Sequence, residues 1–358
     1  MISTNKTRRT TSLFEFWPGW IMYAPVMVQW LFLALRYRSL TLPFLANPSL
    51  RLSGMVGVGK SELMTQASGL SAQTILPWIA FTVDATNAQQ QANECLHRAA
   101  SKGIDMPFAC KPNIGCRGVG VKLVETQEQL AGIIKTYPKG ATLVCQKLAS
   151  YEPEAGIFYV KNPETGHSEI ASMTLKILPR VIGDSVHTLG QLIENDARAG
   201  HLKHLYYPRH KEAWDTIPAA GNPVRLVFSA SHSKGAIFID AREHITPALT
   251  QKIEEIMQSL PNFYYGRLDV KFPDIESLKQ GSNLEIVEIN GASSESIHIW
   301  DKDAKFSEAI RALLWQYRTL FRIGAYHRNN GKKPPALADF LRGWWVERNL
   351  TKHYPLTD

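Results

Sequence analysis

Cysteine is scarce in this chain. The four residues, Cys95, Cys110, Cys116 and Cys145, form no Cys-x-x-Cys pair. Their number and spacing exclude a structural zinc site and a secreted-type disulfide framework, and predict reduced thiols in a cytosolic compartment. Zinc-finger spacing and RNA-binding aromatic signatures are also lacking, so nucleic acid is not the expected partner of this basic chain. With 40 Lys and Arg against 32 Asp and Glu, the formal charge is +8. That balance points to a nucleotide or an anionic membrane surface. Nor does the composition suit disorder: 44% of the residues are apolar and 20% charged, and 358 residues leave room for two or three domains.

Charge is absent altogether from residues 16–35. About twenty residues at ~1.5 Å rise would just cross a bilayer core of ~30 Å. Against a simple span stand Pro18, Pro25 and Gln29, and aromatics (Trp17, Trp20, Tyr23, Trp30) spread along the run rather than gathered at its ends. Basic residues flank both sides (Lys6, Arg8, Arg9; Arg36, Arg38), so charge gives no orientation. No small-residue cleavage site follows, which disfavours a signal peptide. An interfacial helix, a buried helix or dimer contact, and a span remain open.

Residues 54–61, Gly-Met-Val-Gly-Val-Gly-Lys-Ser, match G-x-x-x-x-G-K-S. A phosphate-binding loop of that kind needs a buried strand running into it, and residues 47–53 do not read as one. The better reading starts a helix at Lys60, over 60–66, at the entrance to the next domain.

From there the pattern predicts a strand over 75–83, a helix over 87–100, and then the most informative stretch, residues 108–121. An apolar run delivers Lys111, Pro112 stops it, and Gly115, Gly118 and Gly120 follow before apolar residues resume. Glycine lets backbone N–H groups approach phosphate oxygens, and the lysine adds a point charge. Taken alone, an ordinary glycine-rich hairpin fits as well. A helix over 126–134 and a strand over 142–146 complete a compact α+β unit. Further strands are predicted over 156–160, 169–178, 225–231 and 236–240, with helices over 188–199 and 246–260. The class is α+β, its second half a larger antiparallel sheet.

Two later strands, 266–272 and 284–291, carry the remaining chemistry. Residues i and i+2 of a strand share a face, so Arg267 projects with Asp269, and Glu288 with Asn290. A buried carboxylate needs a cation or donors. Carboxylate and amide oxygens converging from neighbouring strands suit magnesium, a hard cation that keeps phosphate oxygens among its ligands. A solvent-facing edge strand is the bland alternative.

Lys111-Pro112 with its three glycines, then Gly-Arg-Leu-Asp-Val, then Glu-Ile-Asn, in that order, resembles the ATP-grasp superfamily. Within it, the chain is similar to D-alanine–D-alanine ligases, glutathione-type ligases and cyanophycin synthetases. Residues 182–193 look like a segment of the last of these, and the resemblance covers roughly 55–325. It implies two α+β subdomains gripping ATP between them: 51–150 with the glycine loop and 151–325 with the metal site. An apolar, Trp-rich segment (1–50) would precede them, and a basic helical tail (326–358) would follow. Lys111 would hold the phosphates under the loop from Asn113 through Gly115, Gly118 and Gly120, and Lys60 would approach them too. Gln146, Lys147, Leu148 and Ala149 would form the hinge that reads adenine, with Glu154, less surely Glu152, on the ribose. Asp269, Glu288 and Asn290 would bind two Mg²⁺ ions, Mn²⁺ being an acceptable substitute. Arg267, with Lys111, would be catalytic, stabilising the transferring phosphoryl group. Lys176 and Arg225 are weaker phosphate or substrate candidates.

The implied reaction joins a small-molecule carboxylate to an amine through an acyl-phosphate, in the cytoplasm or on the inner face of the membrane. Some features depart from the pattern. Gln146 replaces an acidic residue, Cys116 stands where a polar loop residue is usual, and Gly-Ala-Ser-Ser-Glu-Ser follows Asn290, which weakens any claim to D-alanine as substrate. The separate N-terminal α/β domain is missing or reduced. A non-catalytic nucleotide-binding or membrane-associated scaffold is the alternative, against which intact Lys111, Asp269, Glu288 and Asn290 argue. At the C-terminal end the sequence predicts helices over 304–323 and 337–346, joined by a basic loop over 328–335. Trp344 and Trp345 beside Arg342 and Arg348 could lie at a membrane surface together with the N-terminal run.

Overall fold

The computed structural model describes residue 14 and residues 17–115, 118–231 and 234–358. Lys6, Arg8, Arg9, Phe16 and Cys116 lie outside these. Helix α1 (Gly19–Tyr37) is followed by α2 (Lys60–Met64), α3 (Gly69–Thr74), β1 (Trp78–Thr82) and α4 (Ala88–Ala100). Then come β2 (Phe108–Pro112), β3 (Lys122–Val124), α5 (Gln127–Thr136) and β4 (Thr142–Lys147). Asn87 and Thr126 begin α4 and α5 as caps, accepting from the amides of Gln89 and Gln129. The four strands form one antiparallel sheet in the order β1-β4-β2-β3. Phe108, Val124, Leu130, Leu143, Cys95 and Cys145 are among the buried residues of its core. Cys95, Cys110 and Cys145 are free and buried there.

The second half supplies β5 (Glu154–Lys161), β6 (Ser168–Ile177), β7 (Arg180–Ile182), α6 (Leu189–Asn195), α7 (Lys203–His210), β8 (Pro223–Arg225) and β9 (Ile237–Asp240). It continues with α8 (Pro247–Gln258), β10 (Tyr265–Lys271), α9 (Ile275–Gln280), β11 (Glu285–Asn290), α10 (Phe306–Asn329) and α11 (Leu337–Thr351). Five of these strands make the larger antiparallel sheet, β11-β10-β5-β6-β9. Alternate residues such as Ile157, Met173, Leu268, Val270 and Ile286 meet α8 residues Leu249, Ile253 and Ile256 in its core.

The two sheets meet at β11. Its outer edge is covered by residues 75–76: Ile75 bridges Ile286, and the Leu76 amide donates to the Ile286 carbonyl at 3.0 Å. That pairing takes Ile75 and Leu76 out of the expected 75–83 strand, so β1 begins only after Pro77.

Between β6 and β9 lies a small unit of its own, β7-β8 with α6 and α7, around Leu178, Val181, Ile193, Tyr206 and Leu226. The expected strand over 225–231 is not formed. Arg225 curls back to donate to the Val227 carbonyl, and the Phe228 amide donates instead to the carbonyl of Asp358 at the end of the chain. The expected helix over 188–199 stops at Asn195, because the Asp196 carboxylate accepts from the amides of Arg198 and Ala199 and turns the backbone.

Helix α10 runs to Asn329, through the expected 325/326 boundary and into the expected loop. The last helix is also longer than predicted and is docked on the chain's early residues. The Gly57 amide donates to Glu347 Oε2 at 2.7 Å, and Gly343 packs against Leu52 and Val56.

Candidate active site

Strands β10 and β11 pair with Arg267 opposite Asn290 and Asp269 opposite Glu288. The period of two therefore sets four polar side chains in a square on one face of the sheet. A bulge after Asp269 ends this register.

Arg267 donates through Nε to Asp269 Oδ1 at 3.0 Å, and its Nη1 donates to the Glu295 carbonyl at 3.2 Å. Room for the arginine comes from Gly156 on the neighbouring strand, where a Cβ would sit 2.9 Å from Ile297 and 3.2 Å from Arg267. Asp269 also receives Lys176 Nζ at 2.8 Å. Lys176 in turn pairs with Glu154 at 2.8 Å, and Glu154 with Lys271 at 3.2 Å. The result is a row of alternating charges, Arg267–Asp269–Lys176–Glu154–Lys271, across three strands. Burial pushes the Asp269 carboxyl up, but the Arg267 and Lys176 charges outweigh it and hold its pKa at about 2. Glu154, expected on the ribose, thus has two lysine partners, and a carboxylate with about four acceptor sites keeps others free. Arg225 is bound to the backbone carbonyls of Val227 and Phe228.

The small sheet brings the other half. Lys111, only 6% exposed, donates to Gln146 Oε1 at 2.7 Å and to the Val287 carbonyl of β11 at 3.3 Å. Lys60 opens α2 and reaches the Gly115 carbonyl at 2.9 Å and Glu288 at 3.5 Å. Asn113 holds that helix start in place: its carbonyl accepts from the Lys60 amide, and its Oδ1 from the Ser61 amide at 2.8 Å. Among the described residues no strand precedes 54–61, so they form no phosphate-binding loop of the G-x-x-x-x-G-K-S kind. They nevertheless deliver Lys60 to this site.

Desolvation pulls the Lys111 pKa down to about 8, with Glu288 opposing and Lys60 reinforcing the fall. Gln146, its hydrogen-bond partner, adds no charge to oppose the fall. Lys111 is therefore charged below about pH 8 and loses its proton as pH rises through that value. Phosphate binding that depends on it should weaken over the same range. Gln146→Glu should move the weakening to higher pH, read as the pH dependence of Mg²⁺-ATP affinity by calorimetry. An unchanged pH profile would remove Lys111 from the phosphate contacts.

Past Gln146 the chain crosses between the sheets. The Lys147 amide is used by the Pro77 carbonyl and the Ser150 amide by Glu285. Among the described residues, the main-chain groups of Leu148 and Ala149 between them make no hydrogen bond. An adenine edge requires such free donors and acceptors.

The glycine loop joins β2 to β3, with Gly118 at φ 67° and Gly120 at φ 72°, backbone that side chains resist. Its carbonyls are tied down from behind, three of them by the last residues of the chain. Tyr354 Oη donates to the Ile114 carbonyl at 3.0 Å, Thr357 Oγ1 to that of Gly118, Tyr137 Oη to that of Gly120, and the Asp358 amide to that of Val121. The amides of Gly118, Val119 and Gly120 make no hydrogen bond among the described residues. Carbonyls held from behind with free N–H groups are what a phosphate cradle needs. Nothing local to the loop announces this strap, because its contacts join residues about 240 apart. Removing two of them with Tyr354→Phe and Thr357→Val should speed amide exchange over residues 113–121. It should also raise the KM for ATP about thirtyfold, at roughly 1 kcal/mol for each of the two hydrogen bonds. Unaltered exchange would show the strap to be idle.

The donor set of the square fits magnesium in kind: Asp269, Glu288 and Asn290 offer hard oxygen ligands on one face. Among the described residues no group of three or more His, Cys, Asp or Glu could form an all-protein metal cage. Magnesium suits such a half-site, since it keeps waters and substrate phosphates in its shell.

No protein-family model and no curated protein matches the chain. Similar solved structures include a bifunctional glutathione synthetase from Pasteurella multocida, 17% identical, with a TM-score of 0.35 over 72% of this chain and 36% of that one. The VanG D-Ala:D-Ser ligase of Enterococcus faecalis is 11% identical, with a TM-score of 0.40 over 73% of this chain and 62% of that one. The D-alanine–D-alanine ligase of Bacillus anthracis is 14% identical, with a TM-score of 0.42 over 78% and 70%. The chain thus spans about a third of the Pasteurella protein and less than two thirds of the Enterococcus one. These are likenesses only.

Proposed function

We propose that the chain is an ATP-grasp ligase, which activates a carboxylate with ATP and joins it to an amine. The observation that carries this reading is the square of Arg267, Asp269, Glu288 and Asn290 at the place where Lys111 and Lys60 arrive from the other sheet.

A carboxylate does not react with an amine near neutral pH until one of its oxygens becomes a leaving group. Transfer of the γ-phosphoryl group makes it one, and the amine then displaces phosphate to leave an amide. Lys111 and Lys60 supply fixed positive charge to the phosphates, and the free amides of the glycine loop cover them. Leu148 and Ala149 offer their main chain to adenine, and Glu154 its remaining acceptors to the ribose. Arg267, held by Asp269, faces the transferring phosphoryl group and the departing phosphate. Magnesium bound by Asp269, Glu288 and Asn290 would neutralise phosphate charge. We place the enzyme in the cytoplasm, peripheral to the inner face of the membrane.

The test is an ADP-release screen with Mg²⁺ and ATP across amino acids, short peptides and lipid-headgroup amines, with mass spectrometry of any product. One carboxylate–amine pair should give stoichiometric ADP, phosphate and amide. A chain that neither binds Mg²⁺-ATP nor releases ADP with any pair would overturn the reading.

A further inference from the structure

Two helices and a cleft take no part in this chemistry. Helix α1 lies along α10, burying Met22, Val26 and Leu33. Gln29, the polar residue in the apolar run, turns inward and donates to the Leu314 carbonyl at 2.7 Å. The opposite face is bare. Trp20, Met27, Val28, Leu31, Phe32 and Leu35 are all exposed, Trp20 to 72% and Leu35 to 79%. No charge interrupts them, and Arg36 and Arg38 follow. Among the described residues no helix is long and apolar enough to cross a membrane. Helix α11 carries a second bare stripe, Leu337, Leu341, Trp344 and Trp345, with the Arg348 guanidinium 5.0 Å from the Trp344 ring.

The two stripes flank one junction. Phe44 packs on Trp30 of α1, centroids 6.0 Å apart, and stacks on Phe340 of α11 at 4.9 Å. Phe44 also lines an open cleft of about 540 Å³, whose rim carries Arg51, Lys332, Lys333 and Arg342 against one acid, Asp339. None of the four cations has an ion-pair partner among the described residues. Asp339 is occupied in accepting from the Ala336 amide.

We propose that this face docks on an anionic bilayer, with a phospholipid phosphate seated in the Arg51–Lys332–Lys333–Arg342 cleft and the α1 and α11 stripes set into the interface beside it. A helix with one apolar face and basic flanks lies in the plane of a membrane, its apolar side at the acyl boundary and its cations at the phosphates. A second copy of the chain is the poorer occupant. A twofold contact through this face would bring the same four cations toward one another with only Asp339, already engaged by the Ala336 amide, to answer them. The proposal is independent of the ligase reading, since its readout is vesicle binding.

The test is co-sedimentation of the full chain with vesicles of phosphatidylglycerol and phosphatidylcholine, and of phosphatidylcholine alone. Binding is expected only with the anionic vesicles, falling as salt rises. Lys332→Glu with Lys333→Glu should weaken it more than tenfold, at about fivefold per charge removed. Leu31→Glu with Leu35→Glu should also abolish it. All four positions are exposed, and an unchanged melting temperature confirms the fold. Equal binding to neutral vesicles, or none to either, would overturn the proposal. So would a dimer by light scattering that Leu31→Glu with Leu35→Glu makes monomeric. Thermal stabilisation by inorganic phosphate that the lysine variant removes, without vesicle binding, would make the cleft a soluble-anion site and likewise overturn it.

Discussion

Glu288→Gln should lower ADP release on the order of 10²–10³-fold, measured with a substrate pair identified by the screen. The exchange keeps size and hydrogen-bonding capacity and removes one charge. Glu288 faces Asp269 across the β10–β11 pair and lies 3.5 Å from Lys60, so that charge serves both the metal half-site and the lysine from the other sheet. Mn²⁺ affinity, read by paramagnetic resonance, should weaken in parallel, with little change in melting temperature because Glu288 is partly exposed. A fully active variant would sink the site assignment. Lys60→Ala provides the contrast. If residues 54–61 formed a phosphate-binding loop of the G-x-x-x-x-G-K-S kind, Lys60→Ala would abolish nucleotide binding and Glu288→Gln would leave it intact.

Lys176→Met should cost about 3–5 kcal/mol of stability, the usual result of removing one partner from a buried ion pair. Methionine fills similar space but leaves Asp269 to Arg267 and Asn290 alone, and Glu154 to Lys271 alone. Denaturant unfolding measures the loss, and a cost below about 1 kcal/mol would show the row of charges to be dispensable for folding. The double variant Lys176→Met with Asp269→Asn should lose less than the sum of the two single variants, because each single variant already breaks the same Lys176–Asp269 pair. Asp269 also sets an acid limit. Folding lowers its pKa from 3.8 to about 2, so the folded state releases its proton more readily. That contribution to stability is complete above about pH 4 and is lost as pH falls through about 2. In Asp269→Asn, stability should depend less on pH across that window.

Several parts of the fold were legible in the chain because they rest on local rules. The helices expected over 87–100 and 126–134 form as α4 and α5, though the cap of α4 is Asn87 rather than Asp84 or Thr86. The i, i+2 spacing of Arg267 with Asp269 and of Glu288 with Asn290 holds for any strand, so it needed only a register to become a square. Where a distant partner competed, local pattern failed. The strand expected over 225–231 lost to the C-terminal tail, and the helix expected over 188–199 was ended by the Asp196 side chain. For residues 16–35, composition left three environments open; packing on α10 buries one face of α1 and leaves the other bare.

The sequence by itself determined the α+β class and the chemical kinds of the site: a lysine before a glycine loop, two carboxylates and an amide at strand spacing, and an arginine beside one of them. Those follow from side-chain chemistry and the two-residue period of a strand, which every short segment carries. Only the tertiary structure decided that Lys60 reaches Glu288, that Lys176 and Lys271 hold Glu154, and that Tyr354, Thr357 and Asp358 tie down the glycine loop. Each of these joins segments far apart in the chain, and their meeting is fixed by how the two sheets and the last helix pack rather than by any local preference.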